Sequence, residues 1–203
     1  VNITSSYSGA DVSNYNITDQ TSTTANISAK ALTATASASN KVYDGSSAAT
    51  STLTLSGFVG SETVTSTNSS TFNNKNAGTG KTVTVNSITL ADGTNGGLAA
   101  NYSISTGQTT TANVTAKALT VSGITASNKV YDSTTNATTV LSFSGLIGSE
   151  TINNTNSSTF DNKNIGTGKT VTVNSLTLVD GSNGGLASNY SISSGPVSYT
   201  HLT

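Results

Sequence analysis

The chain contains no cysteine, no methionine and no tryptophan, and its only proline and only histidine, Pro196 and His201, stand close to the C-terminus. Without cysteine, disulfides, thiol chemistry and cysteine-ligated zinc are excluded. Without a histidine in the body of the chain, a serine nucleophile has no general base of the usual kind. We therefore expect no enzymatic activity and no cofactor.

Charge is also scarce in this sequence. Charged residues make up 8% of it, arginine is absent, and the net charge is −1. Nucleic acids and anionic membranes are bound by clustered basic side chains, and the lysines here are scattered. No apolar run approaches the roughly 18 residues that a membrane-spanning helix requires. We expect no nucleic-acid partner and no membrane insertion of this segment.

What the chain has instead is a long internal repeat. Residues 41–105 align without a gap with residues 129–193, and 46 of these 65 positions are identical. Several differences exchange one apolar residue for another, as in Phe58/Leu146. Such exchanges preserve buried volume and therefore mark positions that face the core. The pattern predicts two copies of one folded unit.

The repeat continues beyond the aligned block in both directions. Residues 23–33 echo residues 110–120, while one extra residue within 118–128 predicts a loop or bulge there. Residues 197–203 depart from the repeat and resemble the translated read-through of a sequencing adapter, so the fold prediction does not include them. The predicted segments are the end of a preceding repeat at 1–30, a complete repeat at 31–117, a second repeat lacking its last strand at 118–196, and the tail at 197–203.

The apolar residues mostly follow the period of two that is typical of β-strands. Leu32, Ala34, Ala36 and Ala38 alternate with polar neighbours, and clusters of glycine, asparagine and aspartate separate such runs. The alternation changes phase after Val85, which predicts either a bulge or a break in the strand at residues 86–87. In the first repeat we expect strands near 31–38, 49–56, 62–67, 70–74, 81–90, 100–105 and 109–116.

This pattern predicts an all-β fold. Six or seven short strands per repeat favour tandem antiparallel β-sandwich modules of Ig-like form, each of about 87 residues and stacked end to end. A β-grasp-like module with one short helix is the alternative. Residues 109–120, which join the repeats, contain neither proline nor glycine, and this predicts a stiff junction.

Two acidic, asparagine-containing loops are weak candidates for calcium. Each loop offers one carboxylate, whereas calcium prefers six to eight oxygen ligands, so an ordinary polar turn competes with this interpretation. The candidate ligands are Asp92 and Asn95 in the first repeat and Asp180 and Asn183 in the second.

The repeated aromatic and charged motifs suggest structural roles. Tyr102 and its copy sit where a tyrosine corner precedes a late strand, so a buried ring whose hydroxyl bonds the backbone is favoured over a ligand contact. Asp44 is expected to accept hydrogen bonds in a turn. The motif residues are Lys41, Tyr43, Asp44, Asn101 and Tyr102 in the first repeat, and Lys129, Tyr131, Asp132, Asn189 and Tyr190 in the second.

Together these motifs resemble the YDG-type repeat of filamentous-haemagglutinin-like adhesins. The resemblance rests on the ordered set Lys-Val-Tyr-Asp-Gly at 41–45, Asn-Lys-Asn-Ala-Gly-Thr-Gly-Lys at 74–81 and Asn-Tyr-Ser-Ile at 101–104. Ser133 replaces the motif glycine in the second copy. The resemblance implies a stalk segment of a large exported surface protein of a Gram-negative bacterium, located outside the outer membrane.

Two functions therefore remain open. In the first, the repeats contact neighbouring repeats of the same chain and project a binding domain, and other parts of the protein bind host-cell glycan or protein. In the second, the repeats themselves bind glycan or protein weakly and gain by multivalency.

Overall fold

The structure is a computed structural model that describes residues 4–19, 22–192 and 197–200. Strands dominate it, and within these ranges the only helical elements are three short 3₁₀ turns, Val12–Asn14, Ala99–Asn101 and Ala187–Asn189. The all-β, tandem β-sandwich prediction is confirmed. The β-grasp-like alternative is not what this part of the chain forms, since it contains no α-helix.

Nine strands build the first unit. They are β1 Lys30–Ala31, β2 Thr33–Ala38, β3 Lys41–Val42, β4 Ala48–Ala49, β5 Ser51–Ser56, β6 Val64–Phe72, β7 Gly78–Asp92, β8 Tyr102–Ser103 and β9 Thr109–Thr115. One sheet has the order β3-β9-β7-β6-β4, and β2 pairs with β5 opposite it. Apolar side chains from both sheets, including Leu32, Leu55, Val64 and Leu90, meet between them.

Seven strands follow in the described part of the second unit. They are β10 Lys117–Ala126, β11 Asn136–Ala137, β12 Thr139–Ser144, β13 Ile152–Phe160, β14 Thr170–Asp180, β15 Tyr190–Ile192 and β16 Val197–Thr200. The sheets repeat the first unit, with β12-β10-β15 facing β11-β13-β14-β16. Most pairings are antiparallel, but β1 with β8, β10 with β15, and β3 with β9 are short parallel pairs.

Both predicted irregularities occur as bulges. Ser69 pairs with Ser87 and Ser70 with Val85, so Asn86 is the unpaired residue between β6 and β7. In the second unit the register shifts between Val121 and Gly123, and this bulge absorbs the extra residue predicted in 118–128. At the phase change the side chains therefore exchange faces of the sheet, while the strand itself continues.

Several strand boundaries differ from the prediction, as two examples show. The chain from Val64 to Phe72 forms one continuous strand rather than two, because the register shift after Ser69 corrects the side-chain phase without a break. The strand expected near 100–105 is only Tyr102–Ser103, since a 3₁₀ turn occupies the preceding residues.

The C-terminal segment takes part in the second unit. Val197–Thr200 pairs antiparallel with Thr170–Val173 of β14. In the first unit, the corresponding part of β7 pairs with the beginning of β9. Residues 197–200, which the fold prediction did not include, therefore pair with the sheet of the second unit, whereas the sequence origin of residues 197–203 stays a prediction.

Candidate functional site: the joint between the repeats

A single carboxylate from the second unit lies at the centre of the contact between the units. Glu150 is 8% exposed. It accepts hydrogen bonds from the hydroxyl of Tyr43 at 2.7 Å and the ammonium of Lys75 at 3.0 Å, both from the first unit. The hydroxyl of Tyr190, from its own unit, donates at 2.7 Å. Three donors from two units thus compensate one buried charge.

Backbone hydrogen bonds and a contact between their rings position the two tyrosines, Tyr43 and Tyr190. The amide of Tyr43 donates to the carbonyl of Thr115, and Tyr190 follows a 3₁₀ turn, with its hydroxyl accepting from the amide of Ile147 at 3.0 Å. Their rings meet edge to face with centroids 5.5 Å apart. Lys75 lies 5.9 Å from the Tyr43 ring centroid, where a cation–π attraction adds to its bond with Glu150.

Contacts within the joint shift the pKa values of Glu150 and Tyr190. Burial acts to raise the pKa of the Glu150 carboxyl, but the hydrogen bonds from Tyr190, Tyr43 and Lys75 outweigh it and the pKa lies below its ordinary value. Burial, followed by the bond to this carboxylate, raises the pKa of Tyr190 to about 12. At neutral pH Glu150 is therefore ionised, and the hydroxyls of both tyrosines are protonated and can donate.

A buried asparagine makes a second polar contact across the joint. Asn189 is 0% exposed. Its side-chain oxygen accepts from the amide of Ala77 at 2.8 Å, and its amide group donates to the side-chain oxygen of Asn76 at 3.2 Å. These bonds fix the loop after β6 of the first unit against the 3₁₀ turn of the second.

Close packing surrounds these polar contacts. A Cβ added to Gly45 would lie 2.8 Å from a methyl carbon of Ile147, so only glycine fits there without displacement. The hydrophobic core passes through the joint as one cluster. Its buried members are Tyr43, Phe72, Val83, Ala112 and Val114 of the first unit and Leu119, Ile152 and Tyr190 of the second.

Each unit therefore has two different ends, here called the glutamate end and the tyrosine end. The first unit's glutamate end carries Glu62, which accepts from Tyr102 at 2.7 Å, while Tyr102 accepts from the amide of Val59. This repeats the local geometry around Glu150. Asn101, the counterpart of buried Asn189, is exposed at this end.

The side chains at the tyrosine end of the second unit are exposed as well. Tyr131 is 55% exposed, whereas its counterpart Tyr43 is 1% exposed. Lys163, Asn164 and Ile165, which correspond to residues 75–77 of the joint, are also exposed. A cavity of about 350 Å³ opens between these residues and the edge formed by residues 166–169.

The Lys-Val-Tyr-Asp motif forms a local structural turn. Lys41 donates to the Asp44 carboxylate at 2.8 Å and to the carbonyls of Ser46 and Ala48, while Asp44 also accepts from the amide of Ser46. The second copy repeats this turn, and hydrogen bonds from Lys129 and Thr134 lower the pKa of Asp132 to about 2.

The calcium candidates lie in tight turns and already have protein partners. Asp92 accepts from the amide of Ala99 at 2.7 Å, and Asn95, with a φ of 56°, donates to the carbonyl of Ser61. Asp180 and Asn183 make the same contacts in the second unit. Throughout the described ranges, no three histidine, aspartate or glutamate side chains are grouped to hold a metal ion. Calcium binding here stays a prediction.

Glu150 and Lys75 were not among the residues singled out from sequence. A signal was present, since Glu62 and Glu150 are the only glutamates and occupy the same repeat position. Their partners could not be assigned from local sequence, because two of the three donors to Glu150 come from the preceding unit, 107 and 75 positions away.

The fold and the joint define a tandem β-sandwich repeat protein whose units share a buried polar contact. The chain belongs to the YDG domain family, which it matches twice, over residues 28–112 and 115–198. Comparison with curated proteins and with solved structures gives no match. No helix in the described segments is long and apolar enough to cross a membrane.

Proposed function

We propose that this chain is a structural stalk segment of a large exported bacterial surface adhesin of the filamentous-haemagglutinin-like kind. In this role its repeats hold a binding domain away from the outer membrane of a Gram-negative cell. The observation that carries the proposal is the buried joint, in which Glu150 is held by two donors from the neighbouring unit.

A stalk requires units that keep their relative orientation. Here β9 ends at Thr115 and β10 begins at Lys117, so one residue separates the two units. Bending at this position would expose Glu150, Asn189 and Tyr43, which are at most 8% exposed in the joint. Exposing the apolar part of this contact costs free energy in proportion to its area, and removing the donors of the buried Glu150 carboxylate adds to that cost.

The composition supports the same role. A charge-poor surface dominated by serine, threonine and asparagine is well solvated yet offers no concentrated field to attract a particular ligand. Short hydroxyl pairs across neighbouring strands, such as Thr33 with Ser56 and Ser69 with Ser87, stabilise the exposed sheet faces.

The proposal is tested by combining a measurement of shape with one of binding. Small-angle scattering is expected to show an elongated, rigid particle for the chain, and a broader distribution of shapes for Glu150→Ala. Arrays of host glycans and surfaces of cultured cells are expected to retain neither protein. Retention that grows with the number of linked repeats would instead identify the repeats as the multivalent adhesive element.

A further inference from the structure

Short parallel strand pairs hold the chain where it enters and leaves the first unit. At the glutamate end, β1 pairs with β8, and Lys30 lies opposite Tyr102. At the tyrosine end, the last residues of β9 pair with β3. The amide of Tyr43 extends this second pair by donating to the carbonyl of Thr115 at 2.8 Å. Both connecting segments are therefore bonded to the body of the unit at the point where they leave it.

The second unit begins in the same way as the first. Its β10 pairs with β15 from Lys117 opposite Tyr190, which is the register that β1 and β8 have from Lys30 opposite Tyr102. Ala116 alone separates the end of β9 from the start of β10. A tension along the chain therefore passes from one bonded strand directly to the next, before any loop can lengthen.

Such a tension would act on the first unit at its two opposite ends. β1 starts at the glutamate end and β9 finishes at the tyrosine end, and both β1–β2 and β9 run from the first of these ends toward the second. Tension therefore pulls each segment along its own axis. Hydrogen bonds between antiparallel strands are perpendicular to the strands, so the bonds of a ladder share such a load. A ladder that is opened from one end loses its bonds one at a time instead.

Side-chain packing determines which of the two loaded segments separates first, because their ladders are of similar length. β9 has five register pairs with β7 and two with β3. β2 has six pairs with β5, and β1 has two with β8. Withdrawing β9 would expose Ala112 and Val114, which are 6% and 1% exposed in the core. The inward side chains of β2 are only alanines, all half-buried, so withdrawing β2 exposes less apolar surface.

We propose that the first unit bears tension along the chain, with β1–β2 and β9 loaded in shear, and that the separation of β2 from β5 limits the force it withstands. The inference rests on the proposed stalk role and adds a mechanical function to it, because a stalk that is anchored at one end and bound at the other transmits every pull between them. The short parallel pairs hold each segment at the point where this load enters or leaves.

Single-molecule pulling in two directions tests the shear arrangement, because the chain has no cysteine and handles can be attached through engineered ones. In the full chain, handles on Ser28→Cys and Thr115→Cys load β1–β2 and β9 along their axes. Handles on Ser28→Cys and Ser56→Cys open the β2–β5 ladder from its end, where Thr33 pairs with Ser56. The replaced residues are all exposed. The first direction is expected to require at least about twice the force of the second at the same pulling speed, and equal forces would overturn the inference.

Engineered crosslinks test which ladder yields first. The hydroxyls of Ser37 in β2 and Thr52 in β5 are 2.7 Å apart. Those of Ser69 in β6 and Ser87 in β7 are 2.6 Å apart and provide the matched control, since neither of these strands carries the chain into or out of the unit. Directly opposed residues of this kind suit a disulfide.

The full chain is then pulled from its two ends. The disulfide of Ser37→Cys with Thr52→Cys is expected to raise the unfolding force of the first unit by at least about half, because β2 can leave only together with β5. The disulfide of Ser69→Cys with Ser87→Cys is expected to leave that force unchanged. The crosslinked unit is recognised by the shorter extension it releases, and reduction should restore the original force. No rise with the first disulfide, or an equal rise with the control, would contradict β2–β5 as the limiting ladder.

These outcomes are separable from the test of the stalk itself. A rigid, elongated particle in scattering, combined with equal forces in the two pulling directions, would retain the stalk and reject the tension-bearing arrangement. A higher force along the strands, combined with a flexible joint, would retain the arrangement within the unit and reject the rigid stalk.

Discussion

Glu150 illustrates how one residue can determine the contact between two folded units. A buried carboxylate is stable only where hydrogen bonds or opposite charges replace its hydration. Tyr43 and Lys75 supply this compensation from the neighbouring unit, so the charge is satisfied only when the units are docked. The same charge in an incompletely docked arrangement would lose two of its three donors.

Replacing this carboxylate should weaken the joint in a pH-dependent way. Because the pKa of Glu150 is lowered in the fold, its contribution is complete above its unfolded pKa of about 4.3 and is lost as the pH falls through the folded value. Glu150→Gln is expected to lower the free energy of unfolding by about 2 kcal/mol at pH 7 and to flatten its decline below about pH 4. Chemical denaturation of both proteins between pH 3 and 7 measures this.

Glu62→Gln is the matched control, because Glu62 holds its own unit's Tyr102 at the free glutamate end. It is expected to cost less than about 1 kcal/mol. Equal losses for Glu62→Gln and Glu150→Gln would mean that the contacts with Tyr43 and Lys75 contribute nothing.

Gly45 and Ser133 occupy one repeat position in two different surroundings. Both have positive φ, 78° and 62°, a conformation that favours glycine. Ser133→Gly is expected to raise the free energy of unfolding by about 0.5–1 kcal/mol, since it removes this backbone strain. Gly45→Ser should lower it by more than about 1 kcal/mol, because strain is combined with a contact of 2.8 Å to Ile147. Thermal melts of the two variants check the opposite signs.

At the scale of elements, the corresponding edges of the two units differ. In the first unit β9 pairs with β7 and, through Val114 and Thr115, with β3. In the second, β16 covers only residues 170–173 among the described part of the edge. A strand with fewer backbone and core contacts opens locally at lower free energy.

We therefore expect the second unit to be the less stable one in this chain. Amide hydrogens of residues 170–173 should exchange at least tenfold faster than those of residues 82–85, their copies in the first unit. Hydrogen exchange followed by mass spectrometry compares the two segments within one molecule. Indistinguishable rates would show that Val197–Thr200 replaces β9 fully.

At the scale of the whole molecule, the continuous core couples the two units. Buried side chains from Tyr43 to Tyr190 form one cluster, so unfolding of either unit removes part of the core of the other. In repeat proteins such nearest-neighbour interfaces are a large part of the total stability.

This coupling predicts cooperative unfolding. Scanning calorimetry of the chain is expected to show one principal transition. A Glu150→Ala, Asn189→Ala double variant should separate it into two transitions, because both polar contacts across the joint are removed. Two transitions already present in the unaltered chain would mean that the joint contributes little coupling free energy between the unfolding of the two units.

The sequence by itself determined the repeat, the all-β class and the positions of both strand irregularities. These features depend on periodicity and on comparison of one copy with the other, and both are local properties that the residues display directly. The strand between Val64 and Phe72 was divided wrongly because a bulge on the partner strand, at Asn86, corrects its register. A pairing error of this kind becomes visible only when both strands are placed.

The tertiary structure alone decided the role of the most informative side chains. Tyr43 and Tyr131 have identical neighbours Lys-Val before them and Asp after them, yet one is buried in the joint and the other is exposed. Local sequence could not separate them, because the burial of Tyr43 depends on Glu150 and β9, which lie far along the chain. Contacts between units arise from packing at long sequence separation, and the periodicity of a single copy carries no record of them.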